Sequence, residues 1–444
     1  MHFETTGQKF FEFSQGCLLL ENAGPLRGKA TLIGAKNAVL VTMASLLLTH
    51  GKSVLKNVPI SSDVLQMIHL LTELGAQIHF DKELHELVID TTTICEFKVK
   101  LETVTTMRAS ILVMGPLLAR FGKAVVARPG GCLLGTRPLD LHVRGFEKMG
   151  VQVETDGLFY HASVLPFKKA AITKVIFEYP SVGATENVLM FACLQPGITK
   201  IIGAALEPEV LDLIDALNKM GAKISFEIPQ TIYIEGVNSL SPIEHTVIPD
   251  RLEAGSLLLA VAATGGELYI PNARVDHLEV FLEKLREMGH EIREENGVYL
   301  KATKTPLAVS FKTGPFPGFP TDLQAPMMTL QTIANGISVI EETVFENRLM
   351  QVKELQKMGA QITIEGNQKA IVRGVTELYG REVIAPDIRS SCALVIAGLV
   401  ARGQTIMTGL SHWKRGYEKL DEKLRQLGAD ILLIENRDTD QKEK

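Results

Sequence analysis

Six copies of one pattern run along this 444-residue chain and leave it few ways to fold. In each copy a helical stretch ends in Leu or Met followed by Gly, then a small or polar residue and a short strand. The copies are Glu73-Leu-Gly75-Ala-Gln-Ile, Lys148-Met-Gly150-Val-Gln-Val, Lys219-Met-Gly221-Ala-Lys-Ile, Glu287-Met-Gly289-His-Glu-Ile, Lys357-Met-Gly359-Ala-Gln-Ile and Gln426-Leu-Gly428-Ala-Asp-Ile. The glycines recur roughly every 70 residues. A glycine just past an amphipathic helix ends it at low cost, because it accepts a positive φ. A second glycine keeps step, between an apolar stretch and a strand: Gly51, Gly122, Gly197, Gly266, Gly336 and Gly403. Each unit therefore reads as strand, buried helix, strand, amphipathic helix, then strand or hairpin, an α/β repeat.

The two helices of a unit differ in kind. Ala109–Ala119 and Cys392–Ala401 are apolar all round and belong in a core, whereas Tyr417, Leu420, Leu424 and Leu427 form the stripe of a half-buried helix. A unit with one apolar face has to pack on its neighbours. Six units exceed one core, so a split of three plus three near residue 246 is natural, although the repeats alone leave a ring of six open.

Composition bounds the partners. The net charge of −5 suits a large polyanion poorly, so nucleic-acid binding is not expected. No apolar run exceeds about eleven residues, against the ~20 of a membrane helix, and the first residues do not read as a secretory signal. Five scattered cysteines without a paired spacing suit a reducing compartment and no disulfide framework, so the cytoplasm is expected.

The residues just before the buried helices carry the chemistry. They are Lys36-Asn37, Thr106-Met-Arg108, Ser181-Val182-Gly183, Pro249-Asp-Arg251, Pro320-Thr321-Asp322 and Pro386-Asp387-Ile-Arg389. Arg137, Arg348 and Arg415 are placed at the starts of amphipathic helices. Helix N-termini attract anions, and a cation there is disfavoured unless a bound anion offsets it. Recurrence of cations at this position points to an anionic ligand. The blander reading makes Asp322 and Asp387 N-caps and the arginines surface partners. Between a strand and a helix, Arg128-Pro-Gly-Gly-Cys132-Leu-Leu-Gly-Thr-Arg137 has the glycine punctuation of a mobile lid, and the cation near Cys132 favours its thiolate. No phosphate-binding loop, dinucleotide fingerprint or metal-ligand spacing is present, so chemistry without metal or cofactor is expected.

These motifs together resemble the UDP-N-acetylglucosamine enolpyruvyl transferases of the EPSP synthase superfamily. The resemblance is carried by Ile33-Gly-Ala-Lys-Asn37, Thr106-Met-Arg-Ala-Ser110, Pro129-Gly-Gly-Cys132, Gly135-Thr-Arg-Pro138 and Pro180-Ser-Val-Gly-Ala-Thr185. Farther along it is carried by Phe319-Pro-Thr-Asp322, Glu342-Thr-Val-Phe-Glu-Asn-Arg348, Asp387-Ile-Arg389 and Arg415-Gly-Tyr417. It runs collinearly from about Gly28 to Ile434.

The resemblance implies two inside-out α/β barrels of three repeats each, with buried helices inside and sheets outside. One domain would comprise residues 1–34 and 247–444 and the other 35–246, with the active site in the cleft between them. It implies transfer of the enolpyruvyl group of phosphoenolpyruvate to the 3′-hydroxyl of UDP-N-acetylglucosamine, the first committed step toward peptidoglycan, without metal, membrane or nucleic acid and with a monomer favoured. Lys36, Arg137 and Arg415 would hold phosphate, and Arg389 and Arg348 the rest of the phosphoenolpyruvate anion, beside Asn37. Asp322 would be the base, and Cys132 either the acid or the site of covalent attachment. The UDP-sugar would meet Asn37, Arg108, Arg137, Pro138, Leu139, Asp140, Leu141, Ser181, Val182, Gly183, Thr321, Asp322 and Val344, while Asp387 orients its neighbours. Cys132 also implies alkylation by the epoxide antibiotic fosfomycin.

Two departures stand out: Lys414 replaces the usual Asp before Arg415, and Ser390-Ser391 replaces a smaller pair after Arg389. Two alternatives share some of these features. The shikimate-pathway enolpyruvyl transferases usually have Lys-Ser where this chain has Lys36-Asn37 and lack the Gly-Gly-Cys loop. A repeat-built DNA clamp would need a basic lining.

Overall fold

The computed structural model describes residues 16–100, 108–128, 139–166, 171–227 and 230–435. The chain divides into two compact units. One comprises Met1–Leu32, Arg251–Gly314 and Phe319–Lys444, and the other Ile33–Asp250 with Pro315–Gly318. Each has its own apolar core.

Every repeat builds the same small sheet. In one, Ile172–Ile176 runs parallel to Ile198–Ile202, which pairs antiparallel with Thr231–Glu235, itself the hairpin partner of Lys223–Glu227. The same order recurs in the sheets centred on Lys52–Lys56, Glu267–Ile270, Ile337–Glu341 and Thr405–Thr408. In the sheet of Lys123–Ala127 the parallel edge shrinks to a bridge between Lys98 and Val125. Strand residues alternate between core and solvent, as in Lys52–Lys56, where Ser53 and Leu55 are buried.

Three sheets borrow strands from distant sequence. Glu244–Thr246 supplies the parallel neighbour of Lys52–Lys56, and Arg27–Lys29 that of Glu267–Ile270. Cys17–Leu20 lies between Thr405–Thr408 and Ile431–Ile434. At the second of these joins an added Cβ on Gly266 would stand 1.7 Å from the Leu26 carbonyl oxygen. The left-handed residue before Glu267–Ile270 is Gly265, with φ 78°, and not Gly266. The six glycines that end the amphipathic helices all have φ between 82° and 105°.

The apolar helices are buried nearly throughout. In the first unit Arg251–Thr264, Gln324–Thr332 and Ile388–Val400 pack on one another. Their few hydroxyls are satisfied inside the core: Ser256 donates to the Leu252 carbonyl at 2.8 Å and Thr329 to that of Ala393 at 3.0 Å. In the second unit Met114–Phe121 packs on Val182–Ala192, where Asn187 accepts from the Gly115 N–H at 2.8 Å and donates to the Ile111 carbonyl at 3.1 Å.

Two local expectations shift. The apolar stretch from Ala109 is a 3-10 helix, Arg108–Val113, before the α-helix Met114–Phe121. Pro116 has no N–H for the Leu112 carbonyl, which disfavours continuous α-helix there. The stripe from Tyr417 to Leu427 is buried as expected, but its helix is Leu420–Gln426 and Tyr417 precedes it in extended backbone.

Candidate functional site

In the first unit two of the anion-binding candidates, Arg389 and Arg348, converge on Asp322, in the 3-10 turn Thr321–Leu323 at the entrance to Gln324–Thr332. Its side chain caps nothing. Arg389, in the first turn of Ile388–Val400, donates to Oδ2 from Nε at 3.0 Å and from Nη2 at 2.7 Å. Arg348, in the loop before Gln351–Lys357, donates to Oδ1 at 2.6 Å. Burial works to raise the Asp322 pKa, but the charges and hydrogen bonds of Arg389 and Arg348 overcome it and hold the carboxyl far below the usual carboxylate range.

The guanidiniums are themselves held. Arg389 lies over the Tyr417 ring, 5.4 Å from its centroid, and Arg348 over Phe345 at 5.2 Å. Behind Arg389, the Tyr417 and Ser256 hydroxyls are in hydrogen-bond contact at 3.1 Å. Asp387 is a true N-cap: Oδ1 accepts from the N–H groups of Arg389 at 2.8 Å and Ser390 at 3.0 Å, and the Ser390 hydroxyl donates to Oδ2. Ser390 thus gives the cap a second anchor at one of the departures seen in sequence.

Arg415 is not at a helix start. It lies with Lys414 in the last turn of Leu410–Gly416, the end whose dipole favours cations. Lys414 points to Glu435 at 2.6 Å. Gly416 is there because a Cβ would fall 2.5 Å from Ile388 Cγ2, in the segment that carries Asp387 and Arg389.

Glu342, which the sequence shows as the first residue of the Glu342–Arg348 motif without a role of its own, is fully buried. Oε2 accepts from the Thr321 hydroxyl at 2.9 Å, and Oε1 from the N–H groups of Val344 at 2.8 Å and Phe345 at 3.1 Å. It joins the turn that carries Asp322 to the loop that carries Arg348. Its only sequence signal was an acidic residue six positions before Arg348.

In the second unit Lys36 is the first residue of the buried helix Lys36–Ser45, and its Nζ donates to Asp63 Oδ2 at 2.9 Å. Asp63 sits in the first turn of Ser62–Glu73, where Ser61 supplies the cap. Asn37 is the one exposed residue of its helix. Ser181 caps Val182–Ala192 by accepting from the Ala184 N–H at 3.4 Å, with Val182 and Gly183 in the first turn. Gly183 adjoins His142, which faces Asn187 at 3.1 Å. Leu139 is buried, and Asp140 and Leu141 begin Asp140–Lys148, with Asp140 3.5 Å from Arg144. Arg108 opens its 3-10 helix. Cys132, Arg137 and Pro138 lie outside the described residues.

Among the described residues no group of His, Cys, Asp and Glu is arranged to hold a metal ion, and no helix is long and apolar enough to cross a membrane.

Residues 20–424 match the EPSP synthase (3-phosphoshikimate 1-carboxyvinyltransferase) family. A UDP-N-acetylglucosamine 1-carboxyvinyltransferase 1 of Caldanaerobacter subterraneus is 47% identical over 93% of this chain and 98% of its own. The one of Staphylococcus aureus is 45% identical over 94% and 99%. The chain belongs to the UDP-N-acetylglucosamine 1-carboxyvinyltransferase family. Members of this family are transferases, and so is this chain. The family fold is shared by the enolpyruvyl transferase NikO from Streptomyces tendae, with TM-score 0.85 and 22% identity over 95% of this chain and 99% of that one. It is shared too by an EPSP synthase from Acinetobacter baumannii, with TM-score 0.74 and 17% identity over 95% and 100%.

Proposed function

We propose that the chain transfers the enolpyruvyl group of phosphoenolpyruvate to the 3′-hydroxyl of UDP-N-acetylglucosamine and releases phosphate, at the first committed step toward peptidoglycan. It acts in the cytoplasm, as a monomer, without metal or cofactor. Domains 1–34 with 247–444 and 35–246 each form an inside-out barrel of three repeats. The observation that carries the reading is a carboxylate, Asp322, set between two buried guanidiniums on a chain of this family.

The reaction adds the sugar hydroxyl across the enol double bond and then expels phosphate. As the 3′-oxygen bonds to C2 of phosphoenolpyruvate, its proton passes to Asp322, and the double-bond electrons take a proton at C3 from an acid. Elimination returns a proton from C3 and breaks the C2–O bond to phosphate. Lys36, Arg137 and Arg415 hold that phosphate and stabilise the charge growing on it. Arg389 and Arg348 hold the rest of the anion, and bidentate guanidiniums fix its orientation. Cys132 is the acid or the covalent attachment point. The UDP-sugar lies along Asn37, Arg108, Arg137, Pro138, Leu139, Asp140, Leu141, Ser181, Val182, Gly183, Thr321, Asp322 and Val344, with Asp387 orienting Arg389.

The test is phosphate release from phosphoenolpyruvate with UDP-N-acetylglucosamine or shikimate 3-phosphate as acceptor, for the wild type and Cys132→Ser. Release with the UDP-sugar alone, weakened by the substitution, supports the reading. Release with shikimate 3-phosphate moves the chain to the sister activity, and release with neither overturns the reading.

A further inference from the structure

Asp322 and its two arginines are unequally exposed. The Arg348 and Arg389 side chains are 4% and 7% exposed, whereas that of Asp322 is 24% exposed, so the carboxylate is the outer member of the cluster. The arginines also have anchors independent of Asp322. Arg389 is fixed by its place beside the Asp387 cap and by the Tyr417 ring, and Arg348 by Phe345. Asp322 rides on a 3-10 turn behind Pro320, and Thr321 ties that turn to Glu342. The result is a rigid two-guanidinium seat, shaped for one planar carboxylate or one face of a phosphate, with a protein carboxylate seated in it.

That arrangement conflicts with service as a base. A carboxylate that accepts three charge-assisted hydrogen bonds has little affinity for a further proton. Basicity returns only when another anion takes the guanidiniums' hydrogen bonds and Asp322 leaves the seat. Resting on the enolpyruvyl-transfer reading above, we propose that Asp322 is the resting occupant of the Arg348–Arg389 seat, and that the anionic group of phosphoenolpyruvate displaces it and thereby makes it the base. The same two arginines silence the base and select the co-substrate. An acceptor hydroxyl gives up its proton only when an anionic partner occupies the seat, which guards against unproductive proton transfer.

Displacement makes an unusual demand on affinity: removing the internal competitor must tighten anion binding. The experiment is calorimetric titration of phosphoenolpyruvate, and separately of inorganic phosphate, into the wild type, Asp322→Asn and Asp387→Asn. Asp322→Asn is expected to bind phosphoenolpyruvate about tenfold more tightly than the wild type while its kcat falls by ~100-fold or more. Asp387→Asn removes a carboxylate from the same region without vacating the seat, and is expected to bind no more tightly. Equal or weaker binding by Asp322→Asn overturns the proposal, as does equal tightening in both variants, which would be a field effect alone. If Asp322→Asn is too unstable to titrate, phosphoenolpyruvate should raise its Tm by more than it raises that of the wild type, and an equal or smaller rise also overturns displacement. Wild-type phosphate release without the tightening sinks displacement and leaves the reaction standing. Tightening without release from the UDP-sugar mixture sinks the reaction and leaves the seat exchange standing.

Discussion

Lys36 Nζ donates to Asp63 Oδ2 at 2.9 Å with both side chains almost wholly buried, which ties the first turn of one helix to the first turn of the next. Asp63 thus fixes where the Lys36 ammonium stands. Removing one partner of a buried ion pair costs about 3 kcal/mol or more. Asp63→Ala is expected to lower the stability of the second unit by that order and to raise KM for phosphoenolpyruvate more than that for the UDP-sugar. Urea denaturation and steady-state kinetics check it, and an equal rise in both KM values would remove Asp63 from the phosphate side of the site.

Arg389 contributes geometry as well as charge. Its Nε and Nη2 both reach Asp322 Oδ2 while the plane of the guanidinium lies over Tyr417. Lysine keeps the charge but loses the fork and the stacking. Arg389→Lys should cost ~100-fold or more in kcat/KM for phosphoenolpyruvate with an unchanged Kd for the UDP-sugar, measured by titration. Near-normal kcat/KM would show that charge alone suffices.

His290 predicts an acid limb in stability. Burial pushes its imidazole down to about 4, and Nδ1 accepts from the Thr303 N–H at 3.2 Å, so the folded chain keeps it neutral. In the unfolded chain it titrates near ~6.5. Between those values the unfolded state binds the extra proton, so this contribution is full above the unfolded pKa and is lost as pH falls toward the folded one. From pH 7.5 to pH 5 the loss is about 2 kcal/mol. Urea midpoints across that range should fall for the wild type and fall less for His290→Gln. Parallel curves would acquit His290.

Cys132 is expected to be the group that fosfomycin alkylates, since an epoxide needs a thiolate to open it. Mass spectrometry should find one adduct on the wild type with loss of activity, and none on Cys132→Ser. Full activity after stoichiometric labelling would remove Cys132 from the chemistry.

Much of the architecture was legible because glycine is hard to replace where φ is positive. Gly75 through Gly428 mark helix ends that another residue would strain, so the repeat survives as a visible period. The cations before the buried helices were visible for a similar reason, being out of place at the positive end of a dipole. Their partners were not. Asp63 and Asp322 supply the offsetting negative charge from other elements, and nothing in the sequence states that Asp63 folds back onto Lys36. The roles of Glu342 and Ser256 were not legible because their hydrogen bonds depend on which segments the tertiary structure brings together. Arg415 was assigned to the wrong helix end because the short helix Leu410–Gly416 is too brief to show a period.

The strands Cys17–Leu20 and Arg27–Lys29 have an implication for birth on the ribosome. Cys17–Leu20 is made long before Thr405–Thr408 and Ile431–Ile434, the strands it pairs with, and Arg27–Lys29 long before Glu267–Ile270. Nearly all of the second unit is complete once Asp250 has emerged, so it can fold while the opening strands still wait for partners. Until their partners emerge those strands present open edges. Cys17–Leu20 spends that interval as four apolar residues that end up wholly buried, a stretch that a nascent-chain chaperone would have reason to hold until the C-terminal strand arrives.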